Sequence, residues 1–177
     1  MNILVLMGSP HPKGNTAFLA DAFTEGAKSA GHNVTRLGVG SMKINGCLGC
    51  EYCHGKGAGQ CIQKDDMQTV YQEMAKADMI VFASPIYYWS FSGQMSSLIT
   101  RFYSQSNESL AAKKFAMLLS SGSPGVYEPT TSQYKSVIGY IGAKDCGIVT
   151  AYGDQNKTQA KADEAYNIGK NALYIRE

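Results

Sequence analysis

"MNILVLMGSPHPKGNT", residues 1–16, sets a run of branched apolar side chains directly against glycine, proline, hydroxyls and an amide. Ile3 to Met7 is short, nearly continuous in apolar character and bounded by turn residues, the pattern of a strand buried on both faces of a parallel sheet. The segment that follows, "NTAFLADAFTEGAKSAG" (15–31), places Phe18, Leu19, Ala22, Phe23 and Ala27 on one side of a helix and meets a stop signal at Gly31. Strand, polar loop and helix therefore come in immediate succession.

The same unit recurs along the chain. Further apolar runs cover Asn33 to Val39, Met79 to Ser84, Phe115 to Ser121 and Cys146 to Tyr152, and helical spacing covers 65–77, 92–103, 131–144 and 158–175. The helix at 65–77 opens with two acids, favourable at the positive end of the helix dipole, and carries Met67, Val70, Tyr71 and Met74 at three- and four-residue steps. Five strands alternating with five helices, joined by crossovers long enough to be right-handed, predict an α/β fold: an open parallel sheet covered by helices on both sides. Ligands of such sheets bind at the carboxyl ends of the strands, near the point where strand order reverses. The loops after the first, third and fourth strands are then the places for chemistry, and they read "GSPHPKGNT" (8–16), "SPIYYWSFSG" (84–93) and "SSGSPGVYEP" (120–129).

Composition narrows the function. With 177 residues, 44% of them apolar, the chain is expected to form one domain over 1–177 whose core needs neither disulfides nor a metal. Sixteen Lys plus Arg against 14 Asp plus Glu, with no long block of like charge, argue against a nucleic-acid partner. No basic segment precedes the short apolar run at the start, and no stretch of about 18 apolar residues occurs, so neither export nor membrane insertion is expected. Five cysteines, an odd number with four crowded between 47 and 61, fit a reducing cytoplasm.

In the first loop, Gly8 and Gly14 permit close backbone approach, while Ser9, Asn15 and Thr16 offer small donors where the helix begins. Free amides at a helix N-terminus beside hydroxyls suit a phosphate; a turn capped by Asn15 is the alternative. A Walker A motif is excluded, because Asn15 rather than Lys follows Gly14, and a dinucleotide fingerprint is excluded because Ser9 and Pro10 follow Gly8. The loop after strand three sets Tyr87, Tyr88, Trp89 and Phe91 beside one another at a ligand-binding edge. They suit stacking on a flat ring, or else a dimer contact or a small satellite core.

Taken together, "GSPHPKGNT", "INGCLGCEYC" with "GQCIQKDDM", and "SPIYYWSFSGQMSSLITR" resemble the NADPH-dependent FMN reductase branch of the flavodoxin-like superfamily. The resemblance spans about the first 105 residues and continues more loosely through the order of elements. It implies a three-layer sandwich with a five-stranded parallel sheet of order 2-1-3-4-5, and FMN bound non-covalently, often in a homodimer. By position, Ser9, His11, Asn15, Thr16 and Ala17 would hold the FMN phosphate. Pro85, Ile86, Tyr87, Tyr88, Trp89 and Ser90 would border the isoalloxazine, with Ser121 and Gly122 on its other edge. Relatives often carry Arg where this chain has His11, and a histidine beside a phosphate dianion gains cationic character, so FMN affinity is expected to fall as pH rises.

A flavin needs the protein mainly to hold its ring, place the donor and supply hydrogen bonds, and no triad of catalytic groups is recognisable in the three loops. The resemblance thus implies an NAD(P)H oxidoreductase passing hydride to bound FMN and on to a small acceptor: a quinone, an azo or nitro compound, or a free flavin. Cys47, Cys50, Cys53 and Cys61, separated by two, two and seven residues, bear on an alternative. Their spacing resembles that of iron-sulfur flavoproteins, in which four thiolates ligate a [4Fe-4S] cluster for electron transfer. A structural zinc and metal-free thiols are the other uses, and metal-free thiols are the expectation. Cys146 falls in a buried strand and is expected to pack. A non-enzymatic module on the same fold is a further alternative, although Gly8, Ser9, Ser84 and Pro85 occupy the places where a receiver domain would carry acids.

Overall fold

The computed structural model describes residues 1–173. Strands β1 (Asn2–Met7), β2 (Asn33–Leu37), β3 (Met79–Tyr87), β5 (Lys114–Ser121) and β6 (Lys144–Tyr152) run parallel in the order β2-β1-β3-β5-β6. Among the parallel strands this is the order 2-1-3-4-5 expected from the sequence. A sixth, two-residue strand, β4 (Ser90–Phe91), turns back antiparallel on the end of β3. The helices are α1 (Asn15–Ser29), α2 (Met67–Lys76), α3 (Gly93–Thr100), α4 (Asn107–Ala111), α5 (Glu128–Ile141) and α6 (Gln159–Lys170). The tip of the last helix expected from the sequence, Tyr174 and Ile175, lies outside the described residues.

Alternate residues of each strand feed two cores, one on each face of the sheet. Ile3 and Val5 of β1 join Phe23 of α1 and Ala165 of α6 on one face. Leu4 and Leu6 join Met74 of α2, Leu98 of α3 and Ile138 of α5 on the other. On this second face the ring of Phe82 lies 5.8 to 6.3 Å from those of Phe91, Phe102, Phe115 and Tyr134. Burying one such ring stabilises the fold by about 1.5–3 kcal/mol. On the first face α1 and α6 approach through glycines: a Cβ at Gly26 would overlap the Tyr166 carbonyl, and one at Gly169 would overlap the Phe23 carbonyl.

β3 runs three residues beyond the expected end at Ser84. Pro85 is tolerated because β1 has already ended: its last pairing is Met7 with Ala83, so the missing N–H of Pro85 leaves no acceptor of β1 unpaired. The other side of Pro85 still pairs with Ser120 of β5. This extension carries the aromatic hairpin past the sheet edge.

Candidate functional site

The carboxyl ends of β1, β3 and β5 enclose a cavity of about 270 Å3. Ser9, His11, Gly14, Asn15 and Thr16 form one wall, Pro85, Ile86 and Tyr87 a second, and Ser120, Ser121 and Gly122 a third. Three segments that the sequence singled out separately thus meet at one place. Of the residues expected there, Ala17 has its methyl in the core and can contribute only its backbone amide. Tyr88, Trp89 and Ser90 stand on the exposed rim, outside the cavity walls. Gly14 and Ser120 line the cavity and were not among the expected contacts.

The first loop is built to present amides. The Ser9 hydroxyl accepts from the His11 N–H at 3.1 Å, and the His11 carbonyl accepts from the Gly14 N–H at 3.2 Å, which closes a tight turn. Gly14, not Asn15, caps α1, and no side chain bonds to the helix end, so its first N–H groups are left for a ligand or water. Gly40 supports the turn from behind, where a Cβ would overlap the Ser9 carbonyl and the Pro10 nitrogen. Thr16 turns inward, its hydroxyl 2.7 Å from that of Ser120.

The second wall ends in a hairpin in which Tyr87 pairs with Ser90 across Tyr88 and Trp89. Both turn residues have positive φ, 50° and 60°, a conformation that costs a non-glycine residue about 1–2 kcal/mol. Tyr88 is 95% exposed, so burial does not offset that cost. Its ring meets Trp89 edge-on at 6.2 Å, and the Trp89 carbonyl accepts from the Thr130 hydroxyl at 2.9 Å, which ties the hairpin to α5. On the third wall, the Ser121 carbonyl accepts from Asn156 Nδ2 at 2.8 Å. Asn156 Oδ1 is buried without a partner. Sequence reasoning did not find Asn156, because only the fold brings the loop after β6 against the loop after β5.

The four clustered cysteines occupy a second position. Cys47 and Cys50 are exposed, Cys53 and Cys61 half-buried, and all four line one small cavity of about 20 Å3 together with Arg101 and Tyr103. They surround this space without converging on a point: among the described residues no three His, Cys, Asp or Glu close on a single ion. Burial pushes the Cys53 thiol up, and the neighbouring Cys61 and Cys47 add to the shift. The segment is pinned by acids at its end, where Asp66 accepts from the Lys43 N–H at 2.7 Å and Asp65 from the Asn45 N–H at 3.0 Å.

Arg101, 1% exposed, donates from Nη1 to Asp65 at 2.8 Å and to the Asn45 carbonyl at 3.0 Å. Burial alone would raise the Asp65 carboxyl, but bonds from Arg101 and Asn45 outweigh it and hold the group below the usual carboxylate range. Arg101 Nε and Nη2 are buried with no acceptor, a state that costs about 1–3 kcal/mol for a neutral group and more for a charged one.

Residues 1–156 match the family described as NADPH-dependent FMN reductase. An iron-sulfur flavoprotein of Archaeoglobus fulgidus is 35% identical over 101 residues, 57% of this chain and 45% of that protein. A second from the same organism is 35% identical over 124 residues, 69% of this chain and 60% of that protein. The chain therefore spans about half the length of the curated relatives it matches. An NAD(P)H:quinone oxidoreductase from Methanothermobacter marburgensis superposes with a TM-score of 0.79 at 17% identity, covering 100% of this chain and 98% of the other, a likeness that shows the fold alone.

Proposed function

Because the chain belongs to the NADPH-dependent FMN reductase family, we propose that it is an FMN-dependent NAD(P)H oxidoreductase reducing a small acceptor such as a quinone, an azo or nitro compound, or a free flavin. The observation that carries this reading is the meeting of the first loop, the end of β3 and the end of β5 around one cavity. The donor set fits FMN: an uncapped helix start beside Ser9 and His11 for a phosphate, and an aromatic rim with backbone edges for a flat ring.

When bound, FMN supplies a ring that accepts and releases hydride. The chain's own residues bind and orient. The first turn of α1 holds the anionic end, Pro85 to Tyr87 shape one side of the ring site, and Ser121 with Gly122 offers backbone groups to its polar edge. Tyr88, 95% exposed at the rim, stands where a nicotinamide or acceptor would enter. A homodimer that covers Tyr88 and Trp89 is part of the same proposal. Titration of the purified protein with FMN, followed by NADPH oxidation in the presence of a quinone, tests the reading. Tight flavin binding with flavin-dependent turnover is expected, and a protein that ignores added FMN refutes it.

A second reading is favoured by the cysteine cavity: an iron-sulfur flavoprotein that passes electrons between FMN and a [4Fe-4S] cluster on Cys47, Cys50, Cys53 and Cys61. Its support is that four thiols within a 15-residue stretch of chain line one space, as the thiolate ligands of a cluster would. Two relatives of Archaeoglobus fulgidus that are 35% identical to this chain carry that name. Anaerobic reconstitution with iron and sulfide, followed by iron and sulfide analysis, separates it from the cluster-free enzyme.

A further inference from the structure

The third wall of the cavity at the head of the sheet has few side chains free for a ligand. The Ser120 hydroxyl is engaged with that of Thr16, and the Ser121 hydroxyl donates to the Ser123 carbonyl at 2.8 Å. Backbone groups remain. The Gly122 N–H donates to no protein acceptor among the described residues. A Cβ on Gly122 would meet nothing within 4 Å, so the residue borders open space. The direction of that N–H is set from outside the cavity. A trans peptide is planar with its C=O and N–H on opposite sides, and no peptide bond among the described residues is cis. Because the Ser121 carbonyl accepts from Asn156 Nδ2 at 2.8 Å, the Gly122 N–H of the same peptide is turned away from Asn156. Ser121 and Gly122 line the cavity, and Asn156 does not.

Asn156 holds this place at a cost to the fold. Its Oδ1 is buried without a donor, and Lys157 beside it has φ of 64°, a left-handed conformation unfavourable for a residue other than glycine. Closing the loop after β6 does not account for the cost, since the Thr158 hydroxyl already does so by donating to the Gln155 carbonyl at 2.9 Å. We infer that Asn156 is a positioning residue for FMN: by holding the Ser121 carbonyl on the side of the β6 loop, it aims the Gly122 N–H into the cavity as a donor to the polar edge of the ring. The inference rests on the FMN reading above. A donor held in place before the ligand arrives spends no ordering entropy on binding, whereas a peptide free to turn does. Asn156 touches no ligand in this arrangement and acts only through the Ser121–Gly122 peptide.

The test joins amide hydrogen exchange, read by NMR on isotope-labelled protein with and without FMN, to a flavin fluorescence titration of wild type, Asn156→Leu and Thr158→Val. In wild type the Gly122 N–H should exchange freely without FMN and slow by about tenfold or more when FMN saturates the protein. Asn156→Leu is uncharged and close in size. It should raise the FMN Kd by about threefold or more, the usual net effect of one hydrogen bond, and abolish the protection of Gly122. Thr158→Val loosens the same loop without touching Ser121 and should leave both readings as in wild type. If it weakens FMN binding as much as Asn156→Leu does, the bond only closes a loop and the inference falls. Should Asn156→Leu fail to fold, exchange in wild type decides: protection of Gly122 supports the inference, and its absence overturns it. Bound FMN that leaves Gly122 unprotected, or an Asn156→Leu protein that binds FMN as wild type does, overturns the inference and leaves the FMN reading standing. Wild-type protein that ignores FMN removes both.

Discussion

The hydroxyls of Thr16 and Ser120 lie 2.7 Å apart, buried, and join the first turn of α1 to the end of β5 across 104 residues of chain. This bond ties the first-loop wall of the cavity to the wall formed by the end of β5. Removing either hydroxyl leaves its partner unsatisfied, while removing both leaves neither. Thr16→Val and Ser120→Ala should each cost about 1–3 kcal/mol of stability, and the double variant should cost clearly less than their sum. Urea unfolding of the three variants measures this cycle, and additive losses would remove the pair from the account.

Gly40 is the residue on which the first loop leans. A methyl there would overlap the Ser9 carbonyl and the Pro10 nitrogen and force the loop to shift. Gly40→Ala should cost about 1–3 kcal/mol as an overpacked contact and should weaken FMN binding, although Gly40 itself does not line the cavity. Thermal unfolding and a flavin fluorescence titration read the two effects separately.

Tyr88 and Trp89 occupy the two turn positions that asparagine and glycine fill most comfortably. Replacing the exposed Tyr88 by Asn should raise stability by about 1 kcal/mol, since little burial is lost and the left-handed strain falls. The same variant should lower the rate of acceptor reduction under the proposed function. A higher melting temperature together with lower NADPH turnover would show that the strained hairpin is kept for function.

The Asp65–Arg101 pair has a pH signature with a definite sign. The folded carboxyl is held below its ordinary value of about 3.9, so its stabilising contribution is complete above that value and disappears as pH falls through the folded value. Wild type should therefore lose stability below about pH 4 more steeply than Asp65→Asn, and their unfolding curves should converge at the acid end. Parallel curves down to strongly acid pH would show that the carboxyl is not held by Arg101.

Most of the sheet was legible because four of its five parallel strands are continuous apolar runs, which only a doubly covered sheet buries. The ends were not. Pro85 reads as a stop, but its missing N–H faces a position where β1 has already finished. The two-residue β4 exists only through its pairing with Ile86 and Tyr87 and has no local signal. α4 is five residues long, too short for a helical period to show in the chain. In the candidate site the loop residues were readable from glycines, hydroxyls and aromatics in sequence. Ser120, Gly40, Asn156 and Arg101 act across distant segments, and nothing adjacent to them in the chain marks what they touch.

The glycine contacts between α1 and α6 bear on how a ligand would be received. With Gly26 against the Tyr166 carbonyl and Gly169 against the Phe23 carbonyl, the two helix backbones are keyed together and neither can slide along the other. The start of α1 that borders the cavity thus belongs to a helix locked against its neighbour.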